Sequence, residues 1–193
     1  MALFRLLLAG LMLVLGGCAS QMTAVPRVEE LLPAGARVAV LPFENLSGTE
    51  SAAEIVTSHF QTLLAGLGRI DLAEHGDVYA GLRQYRIRSA TRITRAEIDS
   101  LCALLRLDYL LVGSVLEFDQ RDDRFLGVVP TVSYNCRLLD GKTGETVWVA
   151  ANNGRGDKGE IVFGIGAIRS ADQLALAMVK KTVAEIGGLF HEP

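Results

Sequence analysis

The sequence predicts a single-domain α/β sandwich, a mixed sheet with helices packed on it in the order β-α-β-α-α-β-β-β-α. Three observations predict it. Val38–Leu41 and Leu110–Val112 are continuous apolar runs, the mark of strands covered on both faces. The segments between them carry apolar residues at helical spacing. From Thr131 onward the pattern switches to strict alternation and returns through a turn, which is a hairpin. The first half is therefore built from crossovers and the second half is a meander. No internal repeat and no second domain is visible.

The first strand spans Arg37 to Phe43, with Pro42 ending its ladder. Glu44 to Thr49 is a polar loop closing on Ser and Thr, both good N-caps. A helix follows from about Glu50 to Leu67, with Ala52, Val56, Phe60, Leu63 and Leu64 on one side and Gly66 and Gly68 closing it. Ile70 and Leu72 mark a short second strand, and Asp77 to Gln84 a short helix carrying Val78, Tyr79 and Leu82. Thr94-Arg95-Ala96-Glu97 has the capping-box form and opens a helix to about Arg106. Tyr109 to Phe118 is the most apolar strand and should be central, followed by a charged loop from Asp119 to Arg124.

In Thr131 to Leu138, Val132, Tyr134, Cys136 and Leu138 alternate with Thr131, Ser133, Asn135 and Arg137, so one face is buried and one is free. Asp140-Gly141-Lys142-Thr143-Gly144 is the turn, and Glu145 to Ala151 is the returning strand. Asn152 to Ile168 is Gly-rich and reads as a loop. Ser170-Ala171-Asp172-Gln173 is a second capping-box candidate, opening a last helix to about Ile186 that Gly187 and Gly188 terminate.

The N-terminus carries a different message. Arg5 precedes an apolar run from Leu6 to Leu15, too short to span a bilayer, which takes about 18 residues or more. A charged start, a short apolar core and small residues before the cut are the parts of a secretory signal. Leu15-Gly16-Gly17-Cys18 resembles a bacterial lipobox. The resemblance implies cleavage between Gly17 and Cys18 and acylation of Cys18. Ala19 in place of Asp implies outer-membrane delivery, with the protein facing the periplasm. The expected organisation is a signal at 1–17, a lipidated tether at 18–36 and an α/β domain at 37–190. The residues from Ala19 to Ala36 reach about 60 Å when fully extended.

Composition narrows the function. Half of the 193 residues are apolar, enough for a sizeable core, and the formal charge of −3 leaves no basic excess to hold a nucleic acid. Besides Cys18, the cysteines are Cys102 and Cys136. An oxidising envelope permits a disulfide between them, and two small buried thiols are the alternative. His59, His75 and His191 form no metal-ligand spacing. Ser47 and Ser114 lack a hydrolase elbow, and Cys102 lacks the context of a nucleophile. Gly164-Ile165-Gly166-Ala167-Ile168 lacks the full form of a phosphate loop. Glu117, Asp119, Asp122 and Asp123 interleave with Arg121 and Arg124, which reads as a self-paired charged loop. No catalytic residue, metal, cofactor or small-molecule substrate is indicated.

Three segments in order carry a family resemblance: Val38-Ala39-Val40-Leu41-Pro42-Phe43-Glu44-Asn45, Leu107-Asp108-Tyr109-Leu110-Leu111-Val112-Gly113-Ser114-Val115, and Asp140-Gly141-Lys142-Thr143-Gly144-Glu145-Thr146-Val147-Trp148. Together with the lipobox they resemble the superfamily of CsgG, LpoB and the N-terminal domain of TolB, over roughly residues 37 to 187. The resemblance implies a non-enzymatic, lipid-anchored binding or scaffold protein of the cell envelope, working through an envelope protein partner or self-association. It also implies two alternatives, an LpoB-like activator of a peptidoglycan synthase and a subunit of a CsgG-like secretion assembly. The stretches Asp119–Pro130 and Asn152–Ile168 are too charged or too Gly-rich for membrane-spanning hairpins, whose strands need about 9–11 alternating residues. The tether is short for the long reach of an LpoB-type activator. Binding is expected through loops beside the sheet, or through the free face of the Thr131–Ala151 hairpin.

Overall fold

A computed structural model describes residues 22–26, 32–123, 127–159 and 168–191. The elements are β1 (Met22–Pro26), β2 (Leu32–Pro33), β3 (Arg37–Val40), β4 (Glu44–Asn45), α1 (Ala52–Ala65), β5 (Asp71–Leu72), α2 (His75–Gln84), α3 (Arg95–Leu105), β6 (Tyr109–Asp123), β7 (Gly127–Asp140), β8 (Thr146–Arg155), a 3-10 turn (Gly156–Gly159), α4 (Ala171–Leu189) and β9 (Phe190–His191). The mixed sheet runs β1-β8-β7-β6-β3-β5, with β4 adding to β6 at Ser114–Val115, just beyond its pairing with β3. β3, β4 and β5 lie in the parallel half, and β6, β7, β8 and β1 form the antiparallel half. The α/β class and the crossover-then-meander order follow the sequence.

The period-two alternation of the strands sends residues to two separate cores. On one face Val38, Val40, Leu111, Val115, Tyr134, Leu138 and Trp148 pack against α1 and α4. On the other, Ala39, Leu41, Leu110, Val112 and Leu139 pack against α2 and α3. Helices α2 and α3 cover β3, the start of β6 and the end of β7. The remainder of that face, on β6, β7 and β8, has no helix over it among the described residues.

Several boundaries differ from the sequence reading. Strands β6 and β7 continue through the charged stretch as far as Asp123 and Gly127, because the antiparallel register stays unbroken from Phe118–Val132 to Asp123–Gly127. Arg121 pairs with Asp119 at 2.8 Å and stays on the strand. Within the expected tether, Met22–Pro26 pairs with Asn152–Trp148 of β8 along the sheet edge, and Leu32–Pro33 pairs with Phe190–His191. Ser170 makes no capping bond, and the first amide of α4, Ala171 N–H, donates instead to Gln120 Oε1 on β6 at 2.8 Å. Gly187 and Gly188 do not end α4, which runs to Leu189. Gly187 is kept inside because its bare Cα lets Leu67 approach; a Cβ there would meet Leu67 at 3.2 Å. The capping box of α3 is present with both of its bonds. Glu97 accepts from the Thr94 amide and hydroxyl, which holds its carboxyl below the usual range.

Candidate functional site

In open α/β sheets the crevice outside the carboxyl ends of parallel strands, where connections leave in opposite directions, is the usual ligand position. Here that place is the end of β3. The chain leaves β3 over one face through α1 to β5. It then returns over the other face through α2 and α3 to β6. The segment Pro42-Phe43-Glu44 sits in the fork.

This segment is firmly held. Leu41 N–H donates to Leu111 O at 2.9 Å, and Phe43 N–H donates to the buried hydroxyl of Thr57 at 3.0 Å. The Phe43 ring stacks on Phe60 with centroids 5.0 Å apart, and Phe60 meets Tyr134 edge-on at 5.7 Å. Gly113 makes room for Phe43: a Cβ at Gly113 would lie 2.3 Å from Phe43 Cε1 and 2.5 Å from Asn135 O. The Thr91 hydroxyl donates to Glu44 Oε2. Asn45 closes the loop, accepting from Ser47 N–H and donating to Thr49 O and Glu50 O.

Two clefts border this fork, and a third lies on the sheet face beside it. The first, of about 480 Å³, lies between Pro42-Phe43-Glu44 and the end of α2, with Tyr79, Leu82, Ile87 and Ala90 among its apolar lining and Arg83, Arg86 and Arg88 as its cations. The side chains of those three arginines make no hydrogen bond or ion pair among the described residues. The second cleft, about 570 Å³ between α1 and α2, carries Glu50, Glu54, Gln61 and His75. The third, about 470 Å³, is a groove on the uncovered sheet face lined by Ser114, Asn135, Arg137, Val149 and Ala151. Arg137 Nη2 donates to Thr91 O at 2.6 Å and so ties that face to the loop of the first cleft.

The residues singled out from sequence are placed as follows. The β7 residues Thr131, Ser133, Asn135 and Arg137 share the uncovered face, opposite Val132, Tyr134, Cys136 and Leu138, as the alternation predicts. Leu116 and Val149 are exposed, at 45% and 37%. Leu116 sits at the register shift between Val115 and Glu117. The disulfide between Cys102 and Cys136 is not formed. Cys136 lies in the core under α4, Cys102 packs with the α2–α3 core, and both are free thiols. Burial pushes the Cys102 thiol up to about 11. Burial, and secondarily the Glu185 carboxylate, pushes Cys136 up further still.

His59 Nε2 meets Asp172 Oδ1 at 2.9 Å across α1 and α4, and His75 touches Gln61. Among the described residues no three His, Cys, Asp or Glu side chains converge for a metal ion. Gly17, Cys18 and the Gly164–Ala167 part of the glycine-rich loop lie outside the described residues. The arginine trio was not singled out from the sequence. Its signal is local: Arg83, Arg86, Arg88, Arg92 and Arg95 fall between Asp77 and Glu97 with no acidic residue among them, and the negative net charge of the chain hides it.

No family model matches the chain, and no curated protein matches it. Solved structures do. The PelC dodecamer from Paraburkholderia phytofirmans aligns at 18% identity over 84% of this chain and 96% of that one, with a TM-score of 0.55. The lipoprotein GNA1162 from Neisseria meningitidis aligns at 20% identity over 79% of this chain and 99% of that one, with a TM-score of 0.56. The LpoB C-terminal domain from Escherichia coli overlaps more loosely, at 18% identity over 64% of this chain and 84% of that one, with a TM-score of 0.47. The class is thus an α/β fold that these solved structures share. Its particular likeness, at these identities a likeness of fold, is to PelC and GNA1162. The CsgG and TolB part of the sequence resemblance is not supported by these structures.

Proposed function

We propose that this chain is a lipid-anchored envelope protein, cut between Gly17 and Cys18 and acylated on Cys18, which faces the periplasm from the outer membrane. It acts without chemistry of its own, as a binding or scaffold module that supports an envelope assembly through self-association or a protein partner. The observation that carries this reading is the uncovered half of the second sheet face. Val149 is exposed there beside Ser114, Asn135 and Arg137, a mixture suited to a protein contact. The neighbours agree in kind: PelC is a dodecamer and GNA1162 is a lipoprotein.

The β1 pairing favours this reading over an LpoB-like activator of a peptidoglycan synthase. Cys18 lies four residue steps before the paired Met22, which is about 14 Å at full extension. A subunit of a secretion channel is disfavoured by the β6–β7 hairpin, whose far part reads Asp119-Gln120-Arg121-Asp122-Asp123 and offers no lipid-facing apolar alternation. The test is in-cell crosslinking and pull-down of the anchored chain beside Cys18→Ala. A defined envelope partner, or a ladder of the chain itself, captured only with the acylated form supports the proposal. Equal capture with Cys18→Ala, or none with either, refutes it.

A further inference from the structure

We propose that the cleft at the end of β3 is a binding site for an oxyanion, a phosphate or carboxylate group carried on an apolar body, held by Arg83, Arg86 and Arg88. The inference goes beyond the anchored-scaffold reading and stands whether or not Cys18 is acylated.

Charge is the first ground. Three arginines line one cavity of about 480 Å³, within the usual range for small-ligand sites. A chain with 22 acidic residues could have supplied counter-ions, yet none of these arginines has one among the described residues. The one carboxylate in the lining, Glu44, is engaged by the Thr91 hydroxyl. Three unpaired like charges repel one another, and an entering anion reverses that term. The guanidinium fork also matches the two-oxygen edge of phosphate and carboxylate.

The second ground is how Arg86 is placed. Helix α2 ends in a Schellman motif: Ile87 N–H donates to Leu82 O at 2.9 Å and Arg86 N–H to Arg83 O at 3.2 Å. The residue at the left-handed position of that motif is usually glycine. Here it is Arg86, with φ of 56°. Putting a side chain there costs about 1 kcal/mol of backbone strain. Arg106 ends α3 with φ of 55° and lines none of the three clefts, so the backbone conformation alone marks nothing. What distinguishes Arg86 is that its turn delivers it to a cavity wall beside Arg83 and Arg88.

The third ground is the lining. Phe43, Tyr79, Leu82, Ile87 and Ala90 give the cleft an apolar surface, and Phe43 is fixed by its stack on Phe60. An apolar body carrying the anion gains from that surface, which a bare ion cannot use.

The test is calorimetric titration of the full chain in non-ionic micelles with phenyl phosphate, phthalate and inorganic phosphate at low ionic strength. Phenyl phosphate or phthalate binds, and their ranking says which oxyanion the site prefers. Inorganic phosphate binds more weakly than phenyl phosphate. Arg83→Gln and Arg88→Gln each weaken the better ligand about tenfold, the loss of one charge-assisted pair. Arg86→Gly also weakens binding while the melting temperature holds or rises, because glycine suits the turn. Lys180→Gln, an exposed cation on α4, changes nothing. Absence of binding by both organic probes overturns the proposal. So does binding that Arg83→Gln, Arg88→Gln and Arg86→Gly leave intact, or inorganic phosphate binding as tightly as phenyl phosphate.

Discussion

The buried pair Tyr134–Thr182 makes a directional prediction that the structure allows to be worked through. The two hydroxyls lie 2.8 Å apart between β7 and α4, with both residues fully buried. Thr182 Oγ1 also sits 3.2 Å from Met178 O, a carbonyl that can only accept. We assign the single Thr182 proton to Met178 O, a back-bond to the preceding turn of the helix. The bond between the hydroxyls therefore runs from Tyr134 to Thr182. Tyr134→Phe removes the donor and leaves Thr182 bonded to its carbonyl, costing about 1 kcal/mol. Thr182→Val keeps the shape of the side chain but strands the Tyr134 O–H in the core, costing about 2 kcal/mol. In the double variant the phenol is gone, so Thr182→Val adds only about 1 kcal/mol, and a coupling of about 1 kcal/mol appears. Urea unfolding of the four proteins measures these values. If Tyr134→Phe costs more than Thr182→Val, or if the two single costs simply add, the assigned direction of the bond is refuted.

Other positions give sharper yes-or-no outcomes. Gly113→Ala drives a Cβ against a backbone oxygen at 2.5 Å as well as the Phe43 ring, and should cost about 2 kcal/mol or more by thermal melt. Thr94→Ala removes the capping box and should cost about 1 kcal/mol. Because the cap lowers the Glu97 pKa, its contribution is present above the unfolded value and fades as pH falls through the folded one, so the wild-type–variant gap narrows in acid melts. The thiols can be counted: an acylated chain shows two free thiols on denaturation, Cys102 and Cys136, whereas an unprocessed chain shows three and a disulfide would remove two. In the folded protein at pH 8, Cys102 should label about a hundredfold more slowly than an ordinary thiol, since its pKa stands near 11. The sign follows from that raised value: the thiol's contribution to stability is whole below its unfolded pKa and is lost as pH rises through the folded one.

The legible part of the fold was the part dictated by side-chain period. Alternation in Thr131–Leu138 named the buried and free sides of β7, and the unbroken apolar runs named β3 and β6. The end of β6 was illegible for a physical reason. Asp119 to Asp123 has the composition of a loop, and what keeps it extended is its ladder to Gly127–Thr131, a partnership no local pattern reveals. β1 is of the same kind, an edge strand that exists through β8. At Gly187 the local rule for a helix stop lost to tertiary contact with Leu67. The groove on the uncovered sheet face was visible through Asn135 and Arg137. The arginine cleft was not, because its residues come from α2 and the turn after it while its wall comes from the end of β3, and only the crossover brings them together.

The edge pairing of β1 also has a mechanical meaning. With the anchor at Cys18 as proposed, Met22 is the paired residue nearest to it; Met22 faces Asn152, and the strand runs antiparallel along β8 to Pro26 opposite Trp148. A pull on the anchor along β1 loads the ladder in shear, because the inter-strand bonds stand perpendicular to the strand and share the force. A sideways pull at Met22 opens them one after another. Once β1 has peeled away, the next described contact is Leu32 beside Phe190, so the leash lengthens from four residue steps to fourteen, about 50 Å at full stretch. The proposed attachment would thus be short while β1 is paired and longer once it is peeled, and the direction of the load selects between the two.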